Sequence, residues 1–164
     1  MMSINDMICK MIAECNGHTR DIGHFLKVYT YARLIGEKEQ LDPRTQQTLE
    51  IAAVIHDIAC PLCRIKYGSL NGKYQEQESA PLVEAFLEDA GVDEEMKKRI
   101  SFLVCHHHTY TGVDGVDYRI LLEADYLENA YENNLSKEAI VHARDTFFET
   151  KTGIELLEKM FLTE

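Results

Sequence analysis

Long apolar runs are missing from this sequence of 164 residues. No segment approaches the ~18 consecutive apolar residues that a membrane-spanning helix needs, so we expect no transmembrane segment. The first ten residues, MMSINDMICK, also lack a basic stretch followed by an apolar one, which argues against a secretory signal peptide. We therefore expect the protein to stay in the cytoplasm.

Positive charge is scarce, with 17 Lys and Arg residues against 28 Asp and Glu residues, a formal net charge of −11 and a pI near 5.1. Proteins that bind nucleic-acid polymers rely on Lys and Arg to displace counterions from phosphates, and anionic membranes attract basic segments. The composition therefore predicts neither a nucleic-acid polymer nor a membrane as a partner. A phosphorylated substrate has to be held by a few local cations or by a metal ion.

Cysteine is also sparse, and its number is odd, at five. This count lacks the density of a disulfide scaffold and suits a reducing compartment. The motif Cys60-Pro-Leu-Cys63 has the spacing of half a zinc site, but no second ligand pair follows at the required distance. We interpret the cysteines as packing or loop thiols.

β-Branched residues never alternate long enough for a sheet, whereas apolar residues recur at helical spacing along most of the chain. The hydrophobic content of 45% is sufficient for a substantial core. The predicted fold class is an all-α, irregular bundle of about eight helices, in one domain that spans residues 1–164. The predicted helices cover approximately residues 4–15, 21–36, 43–56, 79–90, 93–107, 116–131, 136–150 and 153–162.

The predicted helix at residues 43–56 differs from the others because its second half is apolar on almost every side, apart from Glu50. Such a helix belongs in the middle of the molecule. It ends in the adjacent pair His56-Asp57. The segment from Cys60 to Gln77 contains Pro and Gly and shows no sustained period, so we predict a long connection there.

Separate predicted helices each direct a metal-competent side chain inward. Burying an ionised carboxylate without a partner is very costly, so Asp57 at the end of the buried helix and Asp125 on an apolar stripe need a cation or a histidine partner. His24 lies on the inner face of the second helix, and His107 follows the apolar stripe of the fifth. Any one of these residues is more commonly a core residue with its own partner than a metal ligand. Together they predict a metal site, and mixed imidazole and carboxylate ligands suit Mn, Fe, Co, Ni or Zn.

Three separated segments give the sequence a resemblance to a known family. They read Asp-Ile-Gly-His24-Phe-Leu-Lys, Ala-Ala-Val-Ile-His56-Asp57-Ile and Leu-Leu-Glu-Ala-Asp125-Tyr. In order, spacing and helical context they resemble the HD-domain superfamily of metal-dependent phosphohydrolases, an all-helical family named for its His-Asp pair. The resemblance spans residues 21–131 and implies that His24, His56, Asp57 and Asp125 ligate a divalent transition-metal ion.

The triplet His106-His107-His108 is similar to the position where many members of the superfamily hold a second metal ion. The sequence around it resembles that of the symmetrical diadenosine tetraphosphate hydrolases, which selects His108. Helical periodicity selects His107 instead, so both remain candidates and His106 ranks last. Members with two ions usually offer another His on the helix after the long connection. In this sequence Glu76 or Glu78 could replace that histidine, and the predicted site includes Glu78. Alternatively, the second ion is weakly bound or absent.

The resemblance implies a metal-dependent phosphohydrolase that acts on a small, nucleotide-like phosphate ester or anhydride. Asp57 is predicted to orient or deprotonate the attacking water, and His107 or His108 to bind a second ion or protonate the leaving oxygen, with His108 in the predicted catalytic pair. Arg64 and Lys66 are candidates for binding the substrate phosphate. Two alternatives stay open: a di-iron oxygenase of the kind represented by inositol oxygenase, and a non-catalytic helical module that binds a metal or another ligand.

A further apolar cluster lies near the C-terminus of the sequence. It consists of Phe147, Phe148, Met160 and Phe161. Stripes of Met and Phe more commonly pack into a core or form the contact of a homodimer than bind a cofactor, so we expect one of the first two.

Overall fold

The computed structural model describes all residues from Met1 to Glu164 and consists of helices joined by short connections, without a β-strand. The nine helices are α1 (Ile4–Glu14), α2 (Thr19–Lys38), α3 (Pro43–Ile55), α4 (Cys60–Tyr67), α5 (Gly72–Leu87), α6 (Glu94–His106), α7 (Val116–Glu132), α8 (Lys137–Thr146) and α9 (Lys151–Phe161). The all-α fold class is confirmed, with one helix more than predicted. No helix combines the length and the apolar character that crossing a bilayer requires.

Most helices begin at a residue whose side chain accepts a hydrogen bond from the first helical turn. Asp42 accepts from the backbone N–H groups of Arg44 and Thr45, at 3.0 Å each, and Pro43 is the first residue of α3. Equivalent caps start α1, α6, α8 and α9 at Ser3, Asp93, Ser136 and Thr150. A cap of this kind satisfies N–H groups that have no partner within the helix and contributes ~1 kcal/mol.

Helix α3 lies at the centre of the molecule, as its apolar sequence predicts. It packs against α1, α2, α6 and α7. The residues from Ile51 to Ile55 are each at most 1% exposed and belong to a cluster of 34 buried hydrophobic residues that forms the core. Because α3 ends at Ile55, the next residue, His56, is held inside this core, and Asp57 follows it towards the edge.

The segment predicted as a long connection, residues 60–77, is largely helical, so this prediction is wrong. Helix α4 occupies residues 60–67, and α5 already begins at Gly72. Gly68 ends α4 in the left-handed conformation with φ 61°, and the Asn71 side chain accepts a hydrogen bond from the Lys73 N–H to start α5. The Pro, Gly and Asn residues that suggested a loop are thus the boundaries of two helices.

The apolar cluster near the C-terminus and most of the cysteines lie in or against the core. Phe148 is 5% exposed, and Phe147 and Phe161 are partly buried against the core, whereas Met160 is 36% exposed. The cysteines are free thiols, and those at positions 15, 60 and 63 are buried. This placement agrees with a packing role for the buried cysteines and for the three phenylalanines, whereas Met160 lies outside the core.

Candidate metal centre

Five of the predicted site residues converge where α2, α6 and α7 meet the end of α3. His24 comes from α2 and Asp125 from α7, while His56 and Asp57 follow α3 and His107 follows α6. Helix α2 packs against both α3 and α7, and α3 packs against α6. All of these side chains except that of Asp57 belong to residues at most 7% exposed. Residues distant in the sequence therefore share one small, largely buried volume.

The closest contacts in this cluster join ring nitrogens and carboxylate oxygens. His24 Nε2 lies 3.0 Å from Asp125 Oδ1 and 3.3 Å from Asp57 Oδ2. His56 Nε2 lies 3.3 Å from each of the same two oxygens, and 3.1 Å from His24 Nε2. Side chains from α2, from α7 and from the end of α3 thus lie within hydrogen-bonding distance of one another, as they would around a shared ion.

Asp57 also faces His107 with its other oxygen. The distance from His107 Nε2 to Asp57 Oδ1 is 3.2 Å, yet Nε2 makes no hydrogen bond in the structure. Two groups of potential metal ligands result, one of His24, His56 and Asp125 and the other of His56, Asp57 and His107. They share His56, so they form one continuous centre.

The outer nitrogen of each histidine in the cluster is held by a hydrogen-bond acceptor. His56 Nδ1 donates to the Ala53 carbonyl at 2.8 Å, and His107 Nδ1 donates to the Val104 carbonyl at 2.7 Å. His24 Nδ1 lies 3.0 Å from Glu132 Oε1, and since a carboxylate only accepts, the ring donates. With Nδ1 protonated, the neutral ring carries a free lone pair on Nε2. All three Nε2 atoms face the two carboxylates, where such lone pairs could bind a cation.

The charges within the cluster shift its pKa values. Burial raises the pKa of a carboxyl group and lowers that of an imidazole, but here the neighbours outweigh it. The pKa of Asp57 is well below its ordinary value because His56 and His107 are adjacent, and hydrogen bonding to His24 and His56 lowers that of Asp125. The same contacts raise the pKa of His24 and His56. Both carboxylates therefore remain ionised although they are close together.

This donor set fits a divalent transition-metal ion. Two ionised carboxylates and three Nε2 atoms converge, and the Nε2 atoms of His24 and His56, 3.1 Å apart, cannot both present a lone pair there without a proton or a cation between them. Buried charges of like sign are costly unless a cation or hydrogen bonds compensate them. Imidazole combined with carboxylate suits Mn, Fe, Co, Ni or Zn, and the histidine tautomers are already those that ligation requires.

His108 lies beside the cluster, whereas His106 does not. The ring centroids of His107 and His108 are 3.9 Å apart, and His108 Nε2 is buried without a hydrogen-bond partner. Burial, and then the neighbouring His107, lower the pKa of His108 to about 4. His106 Nδ1 donates to the Phe102 carbonyl at 2.7 Å, and its ring stacks on that phenyl ring. A Cβ at Gly72 would lie 3.0 Å from His108, so glycine allows α5 to approach this ring closely.

A polar cavity of about 440 Å³ opens onto the centre and is lined by His24, Asp57, His108 and Asp125, together with residues of α2, α4 and α7. Arg64 lines it and forms a bidentate ion pair with Asp21, with both distances at 2.6 Å. Cavities of this size bind small molecules.

Two predicted residues are not brought to the centre. Glu78 accepts hydrogen bonds from Lys66 Nζ at 2.6 Å and from the hydroxyl of Tyr67, and it belongs to neither ligand group. Lys66 is therefore paired on the surface and does not line the cavity. Glu76, the other candidate of this region, accepts a hydrogen bond from the hydroxyl of Thr109 at 2.9 Å. The structure thus places Glu78 and Lys66 together, away from the two ligand groups and from the cavity wall.

Several residues around the cavity were not predicted from the sequence. Glu132 holds His24, and Arg20, Asn129 and Asn133 line the cavity wall. The spacing of Glu132 was a usable signal, because it follows Asp125 by seven residues and so lies on the same face of α7. Arg20 and the two asparagines give no such signal, since charged and amide residues are common on helix surfaces.

Comparison with known proteins agrees with this fold. The family model of the HD domain, which describes the sequences of that family, matches residues 21–143 of this chain. The crystal structure of a predicted HD superfamily hydrolase from an uncultured Thermotogales bacterium has a similar fold, with a TM-score of 0.66 and 24% identity over 95% of this chain and 82% of that one. The comparison with curated proteins finds no match. Since the HD domain match covers most of the sequence and includes the histidine and aspartate residues of the centre, the chain belongs to the HD domain family.

Proposed function

We propose that this protein is a metal-dependent phosphohydrolase that cleaves a small phosphate ester or anhydride with water. The observation that carries the proposal is the converging set of Nε2 atoms and carboxylates at a cavity that also contains arginine side chains. Membership of the HD domain family supports it. The similar crystal structure belongs to a protein described as a predicted hydrolase, which points in the same direction.

A divalent ion bound at the centre lowers the pKa of water and neutralises charge on phosphoryl oxygens. Side chains that line the cavity have the remaining roles. Asp57 has a side chain 22% exposed, the most accessible in the cluster, and it lines the cavity. Its carboxylate is ionised and can accept a hydrogen bond from the attacking water. We assign it the role of orienting that water toward phosphorus.

Arg64 and Arg20 supply positive charge at the cavity in a chain whose net charge is −11. The bidentate pair with Asp21 fixes the guanidinium of Arg64 against the wall, with its side chain 31% exposed. The Arg20 side chain is 69% exposed and extends beside Glu132. Guanidinium groups match the geometry of phosphate oxygens, so these two residues form the proposed phosphate-binding wall.

His108 is placed to act on the leaving group. It lines the same cavity, and its Nε2 has no partner within the protein. When the bond between phosphorus and the leaving oxygen breaks, that oxygen gains negative charge. An N–H of this ring can donate a hydrogen bond to it, which contributes to stabilising the transition state.

The proposed substrate is a nucleotide-like molecule of modest size. A cavity of about 440 Å³ lies within the range typical of small-molecule sites. The side-chain amides of Asn129 and Asn133 line the same cavity as the arginines. Amides both donate and accept hydrogen bonds, as recognition of a sugar or a base requires.

Phosphate release from mononucleotides, dinucleoside polyphosphates, cyclic nucleotides and simple phosphate esters tests the proposal, with Mn, Fe, Co, Ni, Mg and Zn supplied in turn. We expect activity that disappears with chelator and returns with metal. Asp57→Ala should reduce the rate at least ~100-fold while the helical circular dichroism is retained. Asp89→Ala, which removes an exposed carboxylate paired with Lys10, is the matched control.

The same preparation separates the phosphohydrolase from the two alternatives. Oxygen consumption on iron loading, without phosphate release, would identify an oxygenase. Metal-dependent stabilisation without activity on any substrate of the panel would favour a binding module. Either result contradicts the proposed function.

A further inference from the structure

Glu132 is the last residue of α7 and accepts the hydrogen bond of His24 Nδ1 at 3.0 Å. The other two histidines of the cluster have backbone carbonyls as acceptors, those of Ala53 and Val104. Backbone acceptors are present whatever the side chains are. His24 is therefore the histidine of this cluster whose orientation depends on another side chain.

A carboxylate acceptor has two effects on an imidazole. It fixes the proton on Nδ1, which leaves the lone pair on Nε2, and it prevents the ring from turning away from the centre. Removing such a partner typically weakens metal binding about 10- to 100-fold.

The position of Glu132 suits this role and excludes that of a ligand. The imidazole of His24 lies between the carboxylate and the centre, since Nδ1 contacts Glu132 while Nε2 contacts Asp125. Glu132 follows Asp125 by seven residues, about two turns of helix, so α7 provides both a ligand and the support of another ligand. Arg20 Nη2 lies 3.8 Å from Glu132 Oε2, the oxygen that does not contact His24.

We propose that Glu132 is a positioning residue, which sets the tautomer and orientation of His24 and thereby the affinity of the centre for its metal ion. This inference rests on the proposed metal site. It adds that one carboxylate outside the ligand groups controls how tightly the ion is held.

The test is metal binding by the purified full-length chain and its variants. Isothermal titration with Zn²⁺ gives Kd, and the visible spectrum of Co²⁺ reports ligand geometry. For Glu132→Ala we expect Kd to rise about 10- to 100-fold, with an altered Co²⁺ spectrum. Glu132→Gln keeps an oxygen acceptor at the same distance and should bind within a few-fold of wild type. Glu132→Asp keeps the charge but shortens the side chain, so it should resemble the alanine variant.

Glu37→Ala is the control, because this exposed glutamate of α2 pairs with Arg33 and its loss also removes one negative charge. We expect its Kd to equal that of wild type. Equal Kd values for Glu132→Ala and wild type would overturn the proposal. So would a glutamine variant as weak as the alanine variant, because charge alone would then explain the effect. If the alanine variant does not fold, the contrast between the glutamine and aspartate variants decides by the same criterion.

Failure of this inference is distinguishable from failure of the proposed function. Wild-type protein that binds neither Zn²⁺ nor Co²⁺ refutes the metal site itself, and with it both proposals. Wild-type protein that binds metal with an affinity insensitive to Glu132 refutes only the positioning role.

Discussion

Replacing Asp125 by Asn isolates the contribution of one buried carboxylate to the metal centre. Its Oδ1 lies 3.0 Å from His24 Nε2 and 3.3 Å from His56 Nε2, and its side chain is 3% exposed. Asparagine has nearly the same shape, so the packing of α7 is retained. The change removes the negative charge, and an amide is a much poorer ligand for a transition-metal ion than a carboxylate. We therefore expect a protein that folds but responds little to metal.

The size of the response follows from linkage between binding and unfolding. Metal at 100 times Kd stabilises a protein that binds it only when folded by about 2.7 kcal/mol. In a domain of this length each kcal/mol raises Tm by roughly 2–4 °C, so wild type should gain about 5–11 °C. If the substitution weakens binding about 100-fold, the same metal concentration equals the Kd of the variant and stabilises it by only about 0.4 kcal/mol, or roughly 1–2 °C.

Thermal unfolding followed by circular dichroism at 222 nm measures both shifts. The protein is first freed of metal with a chelator and then titrated with Mn²⁺, Co²⁺ or Zn²⁺. Asp89→Asn, at an exposed position on the surface, should behave as wild type. A variant Asp125→Asn that gains as much stability from metal as wild type would show that this carboxylate is not a ligand. Absence of any shift in wild type would remove the basis for the site.

Three other predictions concern residues outside the ligand groups. Glu78→Ala should leave the metal content, measured by mass spectrometry of the purified protein, unchanged, because this carboxylate is already paired with Lys66; a loss of metal would restore it as a ligand. Gly153→Ala should destabilise the protein by ~1–3 kcal/mol in urea unfolding, because the new methyl group collides with the buried carboxylate of Glu123; an unchanged or raised midpoint would contradict this. For Asp93, hydrogen bonding to Arg44 lowers the pKa from 3.8 to about 2, so the pair stabilises the folded state above pH 3.8 and loses this effect as the pH falls toward 2. The difference in urea midpoint between wild type and Asp93→Asn should therefore shrink as the pH falls from 3.8 to about 2. A difference that persists near pH 2 would refute the stabilising role of this ion pair.

The helices could be predicted from the sequence because their signals are local. The stripe that buries Met7 and Met11 and the cap formed by Asp42 and Pro43 each lie within a few residues. Helix α4 was missed because eight residues are too few to establish a period. Gly68, which ends α4, and Asn71, which caps the start of α5, are residues typical of a loop.

The same distinction, between signals local in the sequence and contacts that depend on helix packing, applies to the candidate site. His24, His56, Asp57 and Asp125 were predicted to converge because a buried carboxylate or imidazole on an apolar face needs a partner, and the structure brings them together. Partners that depend on how helices pack could not be derived in this way. The sequence position of Glu78 is suitable for a ligand, but only the packing of α4 against α5 shows that its carboxylate forms an ion pair with Lys66.

The position of His56 and Asp57 directly after the buried second half of α3 has a consequence for how fast the centre can open. An amide in a core helix exchanges its hydrogen only when a large part of the molecule unfolds, whereas helix ends at the surface fray readily. Because α3 is enclosed by four other helices, this pair cannot fray away from the centre. An ion held there leaves through the cavity or waits for global unfolding, so the release of metal at low denaturant should be limited by access and not by local melting.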